Sequence, residues 1–349
     1  MSKLTNIKFI TQEIGSYRKP DYLSKKFHTL KGTPEFREKA EKATLETLKL
    51  FDEAGLQNIG VGGEMFRWEM YEHLADNISG IEFYGKVRSF DNRYYNKGSI
   101  VKEITRKNPV HLDELEFVLN NTEKAIKVPI TGPYTMMDWS FNEHYRDRRE
   151  LANAFADIIR EEIRDLKKLW DTRRSGQLLE IQIDEPAATT HPDEMDIVVE
   201  SVNRSFEGIT GAEFSVHVCY SKDYRMLYNV MPDLKVDGLN LEYANRDTFK
   251  LGVEDEARPG YDDLADFADI NDQLSRRKFL GLGVTDVHQD TIESVQLIKD
   301  RIGYAMAFIE NPTNIRLNPD CGLRTRSREV AFQKLKNMVE ARDLVMEEY

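Results

Sequence analysis

Short apolar runs alternate with longer stretches of helical spacing along most of the chain. The strand-like runs are Phe9 to Ile14, Gln57 to Gly62, Ile126 to Thr131, Leu178 to Asp184, Glu213 to Cys219, Val236 to Glu242, Phe279 to Val284 and Ile315 to Asn318. Between them, apolar residues recur three and four positions apart, the spacing that gives a helix one buried face. One such stripe is Leu151, Phe155, Ile158, Ile159, Ile163, Leu166, Leu169 and Trp170; another is Ile292, Val295, Ile298 and Ile302. Strand and helix signals in alternation predict a parallel α/β sheet, and eight such strands predict an α/β (β/α)8 TIM barrel. Thr33 and Pro34 suit the N-cap and first turn of a helix, Asp290 with Glu293 suits a capping pair, and Ser327 suits the start of a last helix carrying Ala331, Leu335 and Met338. The stretch from about Ser79 to Val110 breaks the alternation with crowded aromatics and glycines, Phe83-Tyr84-Gly85 and Phe90 to Tyr95, and reads as a hairpin-like insertion after the second strand. Residues 1–349 then make a single barrel domain carrying that insertion.

Composition narrows the function without changing the fold. A formal net charge of −12 argues against nucleic acid and anionic membrane as partners, since neither attracts an acidic protein. The acidic run from Glu254 to Asp272 reads as the solvated face of a helix whose apolar side is Leu264, Phe267 and Leu274. The first residues carry no apolar signal core, and no run of about 18 apolar residues occurs, so a soluble cytoplasmic protein is expected. With only two cysteines, Cys219 and Cys321, a structural disulfide is a poor expectation in that compartment. Inert burial, metal binding and catalysis remain for them.

The surroundings of the two cysteines point to metal. On a strand, His217 and Cys219 are two apart and project from the same face, as a two-ligand claw would. Glu242 ends another apolar run, and Cys321 follows a third, just before Gly322. Imidazole, thiolate and carboxylate all bind zinc, and thiolates disfavour magnesium and calcium. A histidine and cysteine on a strand are equally at home in core packing. What favours chemistry is position, because barrel enzymes work at the C-terminal ends of their strands. Other polar residues fall at the same ends: Ser16, Glu64, Asp184 with Glu185, and Asp286 with His288.

Taken in order, Ile14-Gly15-Ser16, Gly63-Glu64, Thr131-Gly132-Pro133 with Trp139-Ser140, Ile181 to Pro186, His217-Val218-Cys219-Tyr220, Asn240-Leu241-Glu242, Gly283 to His288 and Asn318 to Arg326 resemble the catalytic barrel of cobalamin-independent methionine synthases. The chain resembles a short, single-barrel form without the family's N-terminal barrel. The resemblance implies zinc on His217, Cys219, Glu242 and Cys321, homocysteine as methyl acceptor and methionine as product. It implies that Ile14, Ser16, Glu64 and Asp184 hold the amino-acid end of homocysteine; Glu242, the hardest of the four ligands, is the candidate for displacement by the substrate sulfur, since a catalytic zinc needs an exchangeable position. It makes His288 the acid for a folate donor, tuned by Asp286 or another carboxylate, and Trp139 a flat face for the pterin.

Two departures leave the donor open between methyltetrahydrofolate and methylcobalamin or a corrinoid protein. The family's His-Gly-Glu is Gly62-Gly63-Glu64 here, and Gln289-Asp290-Thr291 follows His288 in place of the usual Ser-Pro stretch. Arg18, Lys19, Arg93 and Lys97 could form a basic patch for an anionic donor. Plainer roles stand beside these: a strand-end cap for Asp184 and a helix N-terminal charge for Glu64. So do two other functions, a barrel hydrolase using Glu185 and Glu242 as paired carboxylates, and a non-catalytic barrel stapled by a structural zinc.

Overall fold

The computed structural model describes residues 6–88 and 94–349. All eight predicted runs contain strands: β1 (Ile10–Thr11), β2 (Asn58–Gly60), β5 (Ala125–Thr131), β7 (Leu179–Asp184), β8 (Ala212–Val218), β9 (Gly238–Leu241), β10 (Phe279–Thr285) and β11 (Ile315–Pro319). They lie in the order β1-β11-β10-β9-β8-β7-β5-β2, each parallel to its neighbours. A parallel bridge from Gln12 to Asn58 joins the two ends of that order and brings the sheet round into a barrel. Between β2 and β5 the chain makes an antiparallel pair, β3 (Ile78–Arg88) and β4 (Tyr94–Arg106), to which β6 (Phe141–Asn142) adds in parallel. Phe90 to Arg93 lie outside the described residues.

The barrel interior is polar in its middle layer. Gln12 Nε2 donates to Asn240 Oδ1 at 2.8 Å, and Asn240 Nδ2 donates to Gln182 Oε1 at 3.0 Å and Ser215 Oγ at 3.2 Å. Nearby, Glu180 takes Arg316 at 2.9 Å and Asn58 at 2.8 Å. Five strands are cross-linked in this way, and a buried polar network of this kind fixes strand positions more narrowly than aliphatic packing does. The strand ends above it inherit that rigidity.

The long helix Arg148–Arg173 buries Leu151, Phe155, Ile158, Ile159, Ile163, Leu166 and Trp170 against the sheet, as its spacing predicts. Thr33 caps the helix Pro34–Ala54 through Phe36 N, and Ser327 caps Arg328–Val345 through Val330 N. The capping pair Asp290 and Glu293 does not form. Ser294 caps the helix Val295–Met306 instead, and Ile292 lies exposed before it. The reason is an ion pair: Lys334 holds Glu293 inward at 2.8 Å with both side chains fully buried, so Glu293 is spent before the helix begins. In the acidic run, Leu264 and Phe267 are buried on the helix Leu264–Asp272, but Asp263 is buried too, drawn in by Arg246 at 3.4 Å. Among the described residues no helix is long and apolar enough to cross a membrane.

Candidate active site

Strand register brings the two cysteines and His217 together. His217 lies level with Asp184 on one side and Asn240 on the other. Its Nδ1 meets the Asn240 carbonyl oxygen at 2.9 Å. A carbonyl only accepts, so Nδ1 carries the proton and Nε2 is the nitrogen turned toward Cys321 Sγ, 3.4 Å away. The donor atoms of His217, Cys219 and Cys321 all lie within 4.8 Å of one another. Hydrogen bonding from Cys219 holds the Cys321 thiol well below its ordinary range against the effect of burial, and His217 adds to that pull. The same contact, with burial, pushes Cys219 up. Burial opposes charge on His217, but the Cys321 thiolate outweighs it and raises the imidazole to about 9. The cluster therefore stabilises negative sulfur beside positive charge. Two sulfurs and one imidazole nitrogen converging in this way suit zinc and do not suit an oxygen-seeking cation.

Glu242 stands just outside that group. It is fully buried, with Oε2 accepting from Tyr220 N at 2.7 Å and Asn245 Nδ2 at 3.0 Å, and Oε1 3.2 Å from His288 Nε2. Glu242 is thus the carboxylate that meets the His288 ring. Asp286 does not: its Oδ1 takes the backbone N–H of His288 at 2.7 Å. Burial works against charge on His288, but Glu242 overrides it and lifts the imidazole to about 9.

Nine of the sequence-predicted site residues line one cavity above the barrel: Ile14, Ser16, Glu64, Trp139, Asp184, His217, Cys219, His288 and Cys321. Two glycines make room for it. A Cβ on Gly15 would sit 2.5 Å from Glu64 Oε1, and one on Gly322 would sit 2.1 Å from Ser16 Oγ. Asp184 Oδ1 accepts from Gln182 Nε2 at 2.8 Å, and the same amide donates to the Ile14 carbonyl at 2.9 Å. Burial raises the Asp184 carboxyl to about 7. Glu64 has left-handed backbone (φ 58°) and opens no helix, since Glu69 caps Met70–Ala75; its carboxylate lies 3.6 Å from Arg67. Its reading as a helix N-terminal charge therefore fails. Trp139 packs against Tyr95 of β4, ring centres 5.3 Å apart.

The cavity also takes Tyr94, Tyr95, Tyr220, Arg324 and Thr325, which sequence reasoning did not assign. Arg324 lay within a recognised motif, so attention to its variable position could have found it; the tyrosines of the hairpin carry no such signal. Two of the four basic residues have local partners and one lies outside the described residues. Lys19 Nζ donates to the Glu64 carbonyl at 2.9 Å, Lys97 lies 4.2 Å from the Phe141 ring centre, and Arg93 is outside the described residues. The hydrolase pairing fails on geometry. Glu185 is fully buried and accepts from Tyr134 N at 2.9 Å, Thr135 N at 2.7 Å and Thr135 Oγ1 at 2.6 Å, so its carboxylate is spent on anchoring the helix Pro133–Asp138.

Residues 9–343 match the family model described as the catalytic domain of cobalamin-independent synthases. The chain belongs to that family. Relatives of this synthase-family chain include the methionine synthase of Thermoplasma volcanium, 61% identical over 97% of this chain and 98% of the relative, and that of Thermococcus kodakarensis, 40% identical over 97% and 94%. In fold it is similar to a B12-independent methionine synthase from Shewanella sp. W3-18-1 solved with selenomethionine, with a TM-score of 0.79, 23% identity, and coverage of 98% of this chain and 99% of that one.

Proposed function

We propose that this chain acts as one barrel domain to move a methyl group onto the thiol of homocysteine, forming methionine, with zinc held by His217, Cys219 and Cys321 and with Glu242 as the fourth, exchangeable ligand. The observation that carries the reading is the convergence of two thiols and an imidazole in the wall of the cavity that also holds Asp184, Glu64 and Ser16. Zinc bound there would supply a Lewis acid that keeps the substrate sulfur as a thiolate at neutral pH. Relatives named methionine synthases support the product.

The chain's own residues do the rest. Asp184 and Glu64 offer carboxylates to the substrate ammonium, and Ser16 offers a hydroxyl to its carboxylate. Trp139 and Tyr95 present flat faces for the donor's ring. As the sulfur–carbon bond forms, the nitrogen–carbon bond of a methyltetrahydrofolate breaks, and the electron pair left on nitrogen takes a proton from His288 Nε2. The family's cobalamin-independent description favours that donor over methylcobalamin or a corrinoid protein. The cytoplasm suits two free thiols, Cys219 buried and Cys321 half-buried.

The test supplies zinc-loaded protein with homocysteine and, in parallel, methyltetrahydrofolate, its polyglutamate or methylcobalamin, and measures methionine. Product with a folate donor is expected. Absence of product with every donor, from protein that binds zinc, overturns the reading. Full activity in Cys321→Ser would support a purely structural role for the cysteines.

A further inference from the structure

Behind the cluster, and outside the cavity, Tyr224 is fully buried. Its hydroxyl donates to the carbonyl of Val218 at 2.9 Å and accepts the backbone N–H of Glu242 at 3.0 Å. Val218 immediately precedes Cys219, and Val218 with Leu241 is the last register pair between β8 and β9. One phenol oxygen thus takes over where the ladder stops and ties the end of the strand bearing Cys219 to the end bearing Glu242. The next residue after Cys219, Tyr220, has left-handed backbone (φ 59°), which aims its N–H at the Glu242 carboxylate. Such backbone is costly for a residue with a side chain and persists only where its surroundings hold it.

The ring of Tyr224 is itself held. Its backbone N–H meets Asp263 Oδ2 at 3.3 Å, and the Arg246 guanidinium lies 5.2 Å from its centre while donating to the Glu242 carbonyl at 3.3 Å. Phenylalanine would fill the same apolar volume. The hydroxyl is there for the two backbone groups, which water cannot reach and which would otherwise lack these partners.

We propose that Tyr224 is a positioning residue for the metal centre, fixing the strand end that bears Cys219 against the one that bears Glu242 before an ion arrives. The inference rests on the zinc reading above. Metal sites depend on such outer partners, whose loss typically weakens binding by roughly 10- to 100-fold.

Zinc affinity is measured by chelator competition on wild type, Tyr224→Phe and Tyr228→Phe, together with melting of each metal-free protein. Tyr228 is the control, since its hydroxyl meets Tyr243 at 2.8 Å and Asp263 at 3.4 Å and bonds neither Val218 nor Glu242. We expect Tyr224→Phe to bind zinc roughly 10- to 100-fold more weakly and Tyr228→Phe to bind like wild type. Wild type that binds no zinc would sink the metal reading itself. Wild type that binds zinc with Tyr224→Phe equal to it, or with both variants weakened alike, would overturn the role of Tyr224 alone. If Tyr224→Phe does not fold, Arg246→Gln, which removes the donor to the Glu242 carbonyl, must show the same loss or the inference falls.

Discussion

At the scale of single residues, the cavity is set by what is missing as much as by what is present. Ser16 Oγ occupies the place where a side chain at position 322 would begin, so only glycine lets the residue after Cys321 pass beneath it. Gly322→Ala would force Ser16 off its present position while keeping the backbone N–H that meets the Cys321 sulfur. The Michaelis constant for homocysteine should rise about tenfold, equivalent to ~1.4 kcal/mol, while zinc content stays at the wild-type level; an unchanged constant would show that Ser16 does not bear on the substrate. Much of this scale was legible. Two residues apart on a strand means one face, so His217 and Cys219 could be paired from spacing alone. The contact between Glu242 and His288 could not, because it depends on how far the ends of β9 and β10 stand apart in the closed barrel. Local order named Asp286 or another carboxylate; Glu242 is that other one, and Asp286 serves the His288 backbone.

At the scale of elements, periodicity located the helices but not the charges buried beneath them. Glu162 lies within the buried face of Arg148–Arg173, a charge among the apolar residues of that stripe. It accepts from Val110 N at 2.9 Å, His111 N at 2.7 Å, His111 Nδ1 at 3.0 Å and Arg106 Nη1 at 2.6 Å, pinning the exit of β4 to the helix. Burial alone would raise its carboxyl, but His111 and Arg106 outweigh it and hold the group near 2, below its ordinary 4.5. A depressed carboxyl stabilises the fold above its unfolded value, and that contribution is lost as pH falls through the folded one. Wild type should therefore lose on the order of 3 kcal/mol between about pH 4.5 and 2 through this group. Glu162→Gln should be less stable at pH 7 and should lack that share of the acid slope in urea titrations. Parallel slopes in the two proteins would refute the assignment. The same blindness explains Glu293, read as a helix cap although Lys334 had already claimed it. Ion pairs between distant elements leave no periodic trace.

For the whole molecule, the barrel order followed from counting strand signals, whereas the links that tie its outer layer to the strands did not. Asp247, in the connection leaving β9, lies between Arg258 at 2.6 Å and Arg301 at 2.8 Å, with all three side chains fully buried. Arg301 also donates to the Val284 carbonyl at 2.8 Å, so the helix Val295–Met306 is fastened both to this connection and to the end of β10, the strand that leads to His288. Two guanidiniums share one carboxylate here. Such an arrangement gains little over apolar packing while intact, because desolvation offsets attraction, but removing Asp247 leaves Arg258 and Arg301 buried without their shared carboxylate, Arg301 keeping only Glu293, at 3.9 Å, as an anionic partner. Asp247→Asn should accordingly cost about 3–5 kcal/mol of unfolding free energy, far more than a neutral amide substitution does at an exposed position. Zinc affinity of the folded fraction should stay at the wild-type value, since the cluster is held by Tyr224, Asn240 and the strand register and not by this network. A loss below about 1 kcal/mol, the scale of exposed pairs, would mean that the arginines find other partners. A parallel loss of zinc affinity would mean that the outer layer and the cysteine-bearing strand ends behave as one mechanical unit.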